Sequence, residues 1–253
     1  VKTNDMCAIF TGNHLIKLEE VDSTNTYLSN LAAHQKLADG TVVIARYQSA
    51  GKGQRGNVWL VDKNKNLTFS ILYYLNSVNI NKQFLLTQAI SLGVYDYLIT
   101  KCKNTRIKWP NDLYVGNKKI GGLLIENSIK GESIVQVVIG VGLNINQEIF
   151  DLPYTKATSL RLEKEEHYDL EIEFTTLLTC IERRYLQWKN GQYISLNEQY
   201  LNVLYLYQSW HIYQLPDSSF LDGKIIGINE IGELLIEDLD TQVRKFGLKE
   251  IIF

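Results

Sequence analysis

The sequence predicts an α+β protein: a mixed β-sheet with packed helices, followed by a small β-barrel. Three observations lead there. Strand and helix patterns interleave through most of the chain; from Gln208 onward the texture changes to short strands at close intervals. At 253 residues, 45% hydrophobic and 21% charged, the chain exceeds an average domain and holds enough apolar side chains for a real core. The expected division is residues 1–205 and 206–253.

His14 to Val21 alternates apolar and polar residues as a half-buried strand does. Asp22-Ser23-Thr24-Asn25 then opens a helix with Tyr27, Leu28, Leu31 and Ala32 on one side and Ser23 as N-cap. Hydroxyls and free N–H groups at such a helix start also form a cradle for a polar ligand, and the two roles are compatible. Thr41 to Tyr47 is β-branched and nearly all apolar, as in a central strand. It runs into Gln48-Ser49-Ala50-Gly51-Lys52-Gly53-Gln54-Arg55-Gly56, where backbone N–H groups and cations can surround an anion. The spacing is that of neither a Walker loop nor a Rossmann fingerprint. Trp59 is either a core residue or a stacking plate for a flat ring.

Asn66 to Leu75 is another strand, and Ile80 to Lys101 has helical apolar spacing. Ile134 to Ile139 is a strand that runs into Gly140-Val141-Gly142-Leu143-Asn144; those residues either bring polar groups to a pocket or simply end the strand. Leu152 to Thr158 reads as loop, the charged run after Leu160 as a solvated face, and Leu170 to Asn190 as an amphipathic helix stopped by Asn190-Gly191. Tyr193 to Tyr207 reads as a second helix. The terminal strands are Trp210 to Leu215, Gly223 to Ile228, Leu234 to Ile236 and Val243 to Phe246. So small a module must pack on the first domain.

The most informative stretch is Arg106 to Asn127. Pro110 after Trp109 makes Trp-Pro-Asn-Asp a bend at a strand end. Gly116-Asn117 is a hairpin turn that returns Lys118 and Lys119 beside that bend. Gly121-Gly122 removes two side chains, so a ligand can approach the backbone closely. Asp112, Asn111, the Trp109 indole and an ammonium are thereby expected around one pocket floor.

A net charge of -2 and a pI near 6.1 argue against a dedicated nucleic-acid binder. No apolar run is long enough to span a bilayer, and the first residues do not read as a secretory signal. Cys7, Cys102 and Cys180 form no Cys-x-x-Cys pair, and His14, His34, His167 and His211 are scattered, so no structural zinc site is expected. Unpaired thiols suit a reducing cytoplasm.

In order, these residues resemble the biotin–protein ligase family, the biotin–[acetyl-CoA-carboxylase] ligases. The resemblance rests on Asp-Ser-Thr-Asn at 22–25, the glycine loop with Trp59, Lys-Trp-Pro-Asn-Asp-Leu at 108–113, Lys119 with Gly122, Gly-Val-Gly-Leu-Asn at 140–144, and the terminal β-module. It implies a catalytic domain related to class II aminoacyl-tRNA synthetases, then an SH3-like barrel. It further implies that biotin and ATP, with Mg2+, give biotinyl-5′-adenylate and pyrophosphate, and that a lysine of a biotin carrier protein then takes the biotin. The rivals are a lipoate or octanoate ligase or transferase on the same fold, and a non-catalytic biotin sensor. Some members carry an N-terminal winged helix-turn-helix; about 13 residues precede the first strand here, so no DNA-binding role is expected. A cytoplasmic enzyme without membrane association is expected, and a homodimer is left open.

By the same resemblance, Ser23, Thr24, Asn25 and Gln48, with backbone near Gly122, contact biotin. Lys119 is the first choice for carboxylate and phosphate oxygens, assisted by Lys52 and Arg55 from the loop of Gly51 and Gly53; Lys118 should face the other way. Family members usually have arginine at positions 52 and 54. Lys52 keeps the charge without the planar fork, and Gln54 removes a charge used around the adenylate. Trp59 would stack on adenine, with Asn111 and Asn144 adding polar contacts. Asp112 either positions Mg2+-ATP or receives or orients the acceptor lysine.

Overall fold

The computed structural model describes residues 10–150 and 156–253. Cys7 and most of the expected 152–158 loop lie outside them. The larger unit is a seven-stranded sheet in the order β1-β2-β3-β7-β6-β5-β4. Its strands are β1 (Leu15–Leu18), β2 (Val42–Ala45), β3 (Leu67–Asn79), β4 (Thr105–Lys108), β5 (Asp112–Val115), β6 (Lys118–Lys130) and β7 (Ser133–Leu143). Among the described strands of this sheet, β1 and β2 pair in parallel and the other neighbours pair antiparallel. Strand β3 lies between β2 and β7 and is buried almost end to end as far as Leu75, which its apolar sequence requires.

Helix α1 (Thr24–His34) covers one face, where Leu28 packs with Val43, Leu72 and Val138. Helices α2 (Gln83–Lys101) and α4 (Leu170–Lys189) pack together over the main core. Their polar groups are paired: buried Glu173 accepts from the Tyr97 hydroxyl at 2.6 Å and Lys101 at 2.9 Å. The charged run after Leu160 is largely exposed, with one short helix, α3 (Leu160–Lys164), capped by Ser159.

Helix α5 (Tyr193–Asn202) is shorter than the Tyr193–Tyr207 span expected from the sequence. Beyond it the chain bonds to the outer edge of β4 instead, Ile107 N–H donating to the Val203 carbonyl and Tyr205 N–H to the Ile107 carbonyl. Leu206 and Gln208 have positive φ, which no helix sustains.

The terminal strands β8 (Trp210–Gln214), β9 (Phe220–Ile228), β10 (Leu234–Asp238) and β11 (Val243–Phe246) form an antiparallel sheet, and Ile252 returns to pair with Gln214. Its buried Tyr213, Leu221, Ile225 and Leu234 join the same core as Ile107, Trp109 and Tyr200. The expected packing of module on domain is therefore a continuous apolar interior. No helix among the described residues is long and apolar enough to cross a membrane.

Candidate active site

A cavity of about 230 Å3 opens where the start of α1, the 48–59 loop, the β5–β6 hairpin and the end of β7 meet. Backbone bonds bring these elements together. Ser49 and Ala50 N–H groups donate to the Val21 and Asp22 carbonyls, fixing the glycine loop beside the α1 cap. The loop itself is folded: Gly53 N–H donates to the Asn57 carbonyl and Trp59 N–H to the Gly51 carbonyl, around a short turn at Gln54–Gly56.

One part of the cavity is buried and neutral. The Gln48 side-chain carbonyl accepts from Thr24 N–H at 2.8 Å and the Thr24 hydroxyl at 3.0 Å. Asn25 accepts from the Ser70 hydroxyl at 2.5 Å and donates to the Glu126 carboxylate at 2.8 Å. Ser23 caps α1 through a long 3.5 Å contact to Thr26 N–H, which leaves its hydroxyl oriented by little else. Fixed, mostly satisfied donors and acceptors of this kind select a neutral polar ligand by its hydrogen-bond pattern.

Elsewhere the wall is charged. Lys119 Nζ lies 2.7 Å from Asp112 Oδ1 and 5.9 Å from the centre of the Trp59 ring. The hairpin has the two-residue turn Gly116-Asn117, so Tyr114 opposes Lys119 and Val115 opposes Lys118; Lys118 is exposed and is not a wall. Lys119 is fixed on its other side, its N–H donating to the Lys156 carbonyl and its carbonyl accepting from Thr158 N–H. The Trp59 indole lies on Gly142, where a Cβ would be 2.4 Å from the ring. Its Nε1 is buried against the Gly142 backbone and has no acceptor among the described residues.

Among the sequence-predicted residues, Ser23, Thr24, Asn25, Gln48 and Gly122 are walls, as are Asn111, Asp112, Lys119 and Trp59, and Lys52, Gly53 and Gln54 of the loop. Gly51 and Asn144 are placed differently. Gly51 narrows the loop's neck, where a Cβ would meet the Trp59 carbonyl oxygen at 2.4 Å. Asn144 is not a wall: its amide donates to the Thr158 carbonyl and so braces the segment that holds Lys119. Arg55 has its backbone in the short turn, and its side chain lies outside the described residues. Asn111, although a wall, uses its amide to bond the Leu123 carbonyl. The Trp109 indole is not at the pocket floor; it is buried against the terminal sheet.

Ser70 and Glu126 were not singled out in the sequence; the signal for Ser70 was one hydroxyl inside an apolar strand. Leu248 and Lys249, walls supplied by the terminal module, carried no signal. For a magnesium ion, the described residues offer no cluster of three His, Cys, Asp or Glu side chains. The single carboxylate of Asp112 suits only an ion that arrives on a nucleotide's phosphates and keeps most of its water.

The fold and cavity define a class that binds a neutral polar group beside a cationic, anion-accepting wall. The model of the biotin/lipoate A/B protein ligase family matches residues 18–144, half of the chain, and the chain belongs to that family. It is 28% identical over 251 residues to the bifunctional ligase/repressor BirA of Bacillus spizizenii, covering 95% of this chain and 72% of that protein. It is 30% identical over 180 residues to the biotin–[acetyl-CoA-carboxylase] ligase of Mycobacterium tuberculosis, covering 68% of this chain and 64% of that one. Among solved structures, the biotin protein ligase of Aquifex aeolicus in complex with biotin and ATP superposes with a TM-score of 0.75 at 25% identity, over 94% of this chain and 97% of that chain.

Proposed function

We propose that the chain is an ATP-dependent ligase that joins biotin to a lysine of a biotin carrier protein through biotinyl-5′-adenylate. The observation that carries this reading is the Lys119–Asp112 pair set in the same cavity as the buried Ser23, Thr24 and Gln48 cluster. The cluster suits a urea, whose donors and acceptors each cost about 1–3 kcal/mol if buried unpaired. The ammonium suits the carboxylate at the other end of the molecule.

In the first step a biotin carboxylate oxygen bonds to the α-phosphorus of ATP, and the bond to pyrophosphate breaks. Two anions must approach, so Lys119 neutralises their repulsion and the charge that develops, assisted by Lys52 from the loop. Trp59 offers a flat indole for adenine. Magnesium bound to the phosphates would supply further charge neutralisation. In the second step the carrier's lysine nitrogen attacks the acyl carbon, AMP leaves, and the amine loses a proton. Asp112 would accept that proton or orient the amine once Lys119 has turned to the phosphate, or would instead help position Mg2+-ATP in the first step. Folding of the glycine loop over the cavity keeps water from the mixed anhydride.

The carrier is the expected partner, a cytoplasmic setting fits the free thiols of Cys102 and Cys180, and residues 1–205 and 206–253 are read as the catalytic and terminal domains. The test is transfer of labelled biotin to an apo carrier domain in the presence of Mg2+-ATP. Label should appear on one carrier lysine and require ATP; ATP-independent labelling, or none, would sink the proposal.

A further inference from the structure

Lys108 and Trp109 open the Lys-Trp-Pro-Asn-Asp motif, yet neither side chain is a wall of the cavity. Both meet the terminal module. The Trp109 indole, 6% exposed, donates from Nε1 to the Gly232 carbonyl at 3.0 Å. Gly232 has φ +94°, and a Cβ there would lie 2.6 Å from the Phe84 ring, so only glycine lets this turn come so near. Lys108 Nζ sits 4.8 Å from the ring centre of Phe253 and 5.2 Å from that of Tyr114. Burial lowers the pKa of this ammonium below that of an ordinary lysine. Pro110 is held from another side, its carbonyl accepting from the Tyr200 hydroxyl at 2.8 Å. The next two residues, Asn111 and Asp112, are cavity walls, and Lys108 is in register directly opposite Asp112.

We propose that Lys108 and Trp109 are positioning residues that fasten the terminal module, through Phe253 and Gly232, to the turn that sets Asp112 against Lys119. The proposal rests on the ligase reading above. A turn released from the module lets Asp112 drift and with it the Lys119 ammonium it holds, the group that acts in adenylation, and small misplacements of a reacting group are costly in rate. Ser23, Thr24 and Gln48 sit on α1 and the glycine loop, elements that this turn does not carry. The signature is therefore a loss in kcat with the KM for biotin preserved, which general loosening of the fold would not give.

The experiment is steady-state, biotin-dependent pyrophosphate exchange by the full chain and by Trp109→Phe, Lys108→Met and Phe253→Ala variants. Trp109→Phe and Phe253→Ala should keep the KM for biotin within about two-fold and lose about five-fold in kcat, the rate equivalent of one lost hydrogen bond. Lys108→Met combined with Phe253→Ala should lose less than the sum of the two single losses, because the two side chains share a contact. Phe253→Ala removes only one partly buried ring, so it decides the matter if Trp109→Phe does not fold. An unchanged kcat, or a parallel rise in the KM for biotin, would overturn the positioning role alone. No exchange by the unsubstituted chain would overturn the ligase reading, and the positioning role with it.

Discussion

Lys119 Nζ lies 2.7 Å from Asp112 Oδ1, and the two meet over the bare side of Gly122. A Cβ at Gly122 would stand 3.0 Å from the carboxylate oxygen and 3.4 Å from the ammonium. The pair is about 30% exposed, with side-chain values of 30% and 28%, so it contributes little to stability. It holds a cation at the cavity before any anion enters, and leaves that cation able to exchange a carboxylate for a phosphate oxygen.

Lys119→Ala should still bind biotin through the buried polar cluster and lose about 100- to 1,000-fold in adenylation, the usual effect of removing a charge-stabilising donor. Calorimetry for biotin and pyrophosphate exchange for chemistry separate the two. Full activity would make the catalytic assignment wrong.

Gly122→Ala tests the meeting point itself. The added methyl presses on Asp112 and Lys119 together, and the exchange rate should fall about ten-fold while the thermal midpoint barely moves. An unaltered rate would mean that the pair need not meet for the reaction.

Gly142→Ala is expected to displace the Trp59 indole, since the new Cβ would overlap the ring. If that indole holds the nucleotide, the KM for ATP should rise more than the KM for biotin, and Trp59→Phe should show the same bias. Equal changes in both constants would count against a nucleotide role.

Alkaline pH should unfold the protein in a predictable direction. Burial raises the phenol pKa of Tyr73, Tyr97, Tyr185 and Tyr200 above the ordinary value of 10.0, and pushes Tyr114 and Tyr213 up to about 12. Above pH 10 the unfolded chain releases protons that the folded chain keeps, so stability falls as pH rises, by about 1.4 kcal/mol per pH unit for each such tyrosine. Lys108, lowered by burial, acts with the opposite sign but is one group against several. Burial raises the Cys102 and Cys180 thiols above their ordinary value of 9.0 as well, so denaturant midpoints should begin to fall at about pH 9 and drop steeply above about pH 10; a level profile through pH 11 would contradict the burial of these phenols.

Much of this was legible locally. Gly116-Asn117 marked the hairpin that pairs Tyr114 with Lys119, and Ser23 marked the start of α1. Periodicity separated β3 from α2, whose interior is apolar enough to be buried on several sides. What failed was long-range. The Trp109 indole reads locally as part of the pocket, yet its partner is Gly232, 123 residues away, and no spacing rule connects them. Leu248 and Lys249 reach the cavity only because the terminal module docks where it does. The end of α5 was missed for a related reason: backbone bonds to β4 outcompete helical ones after Asn202.

The most direct measurement is pyrophosphate exchange into ATP by the purified chain with Mg2+, run in parallel with biotin, lipoate and octanoate. Exchange with biotin and with neither fatty acid is the predicted result. Exchange driven by lipoate or octanoate instead, or by none of the three while biotin still binds, would contradict the account.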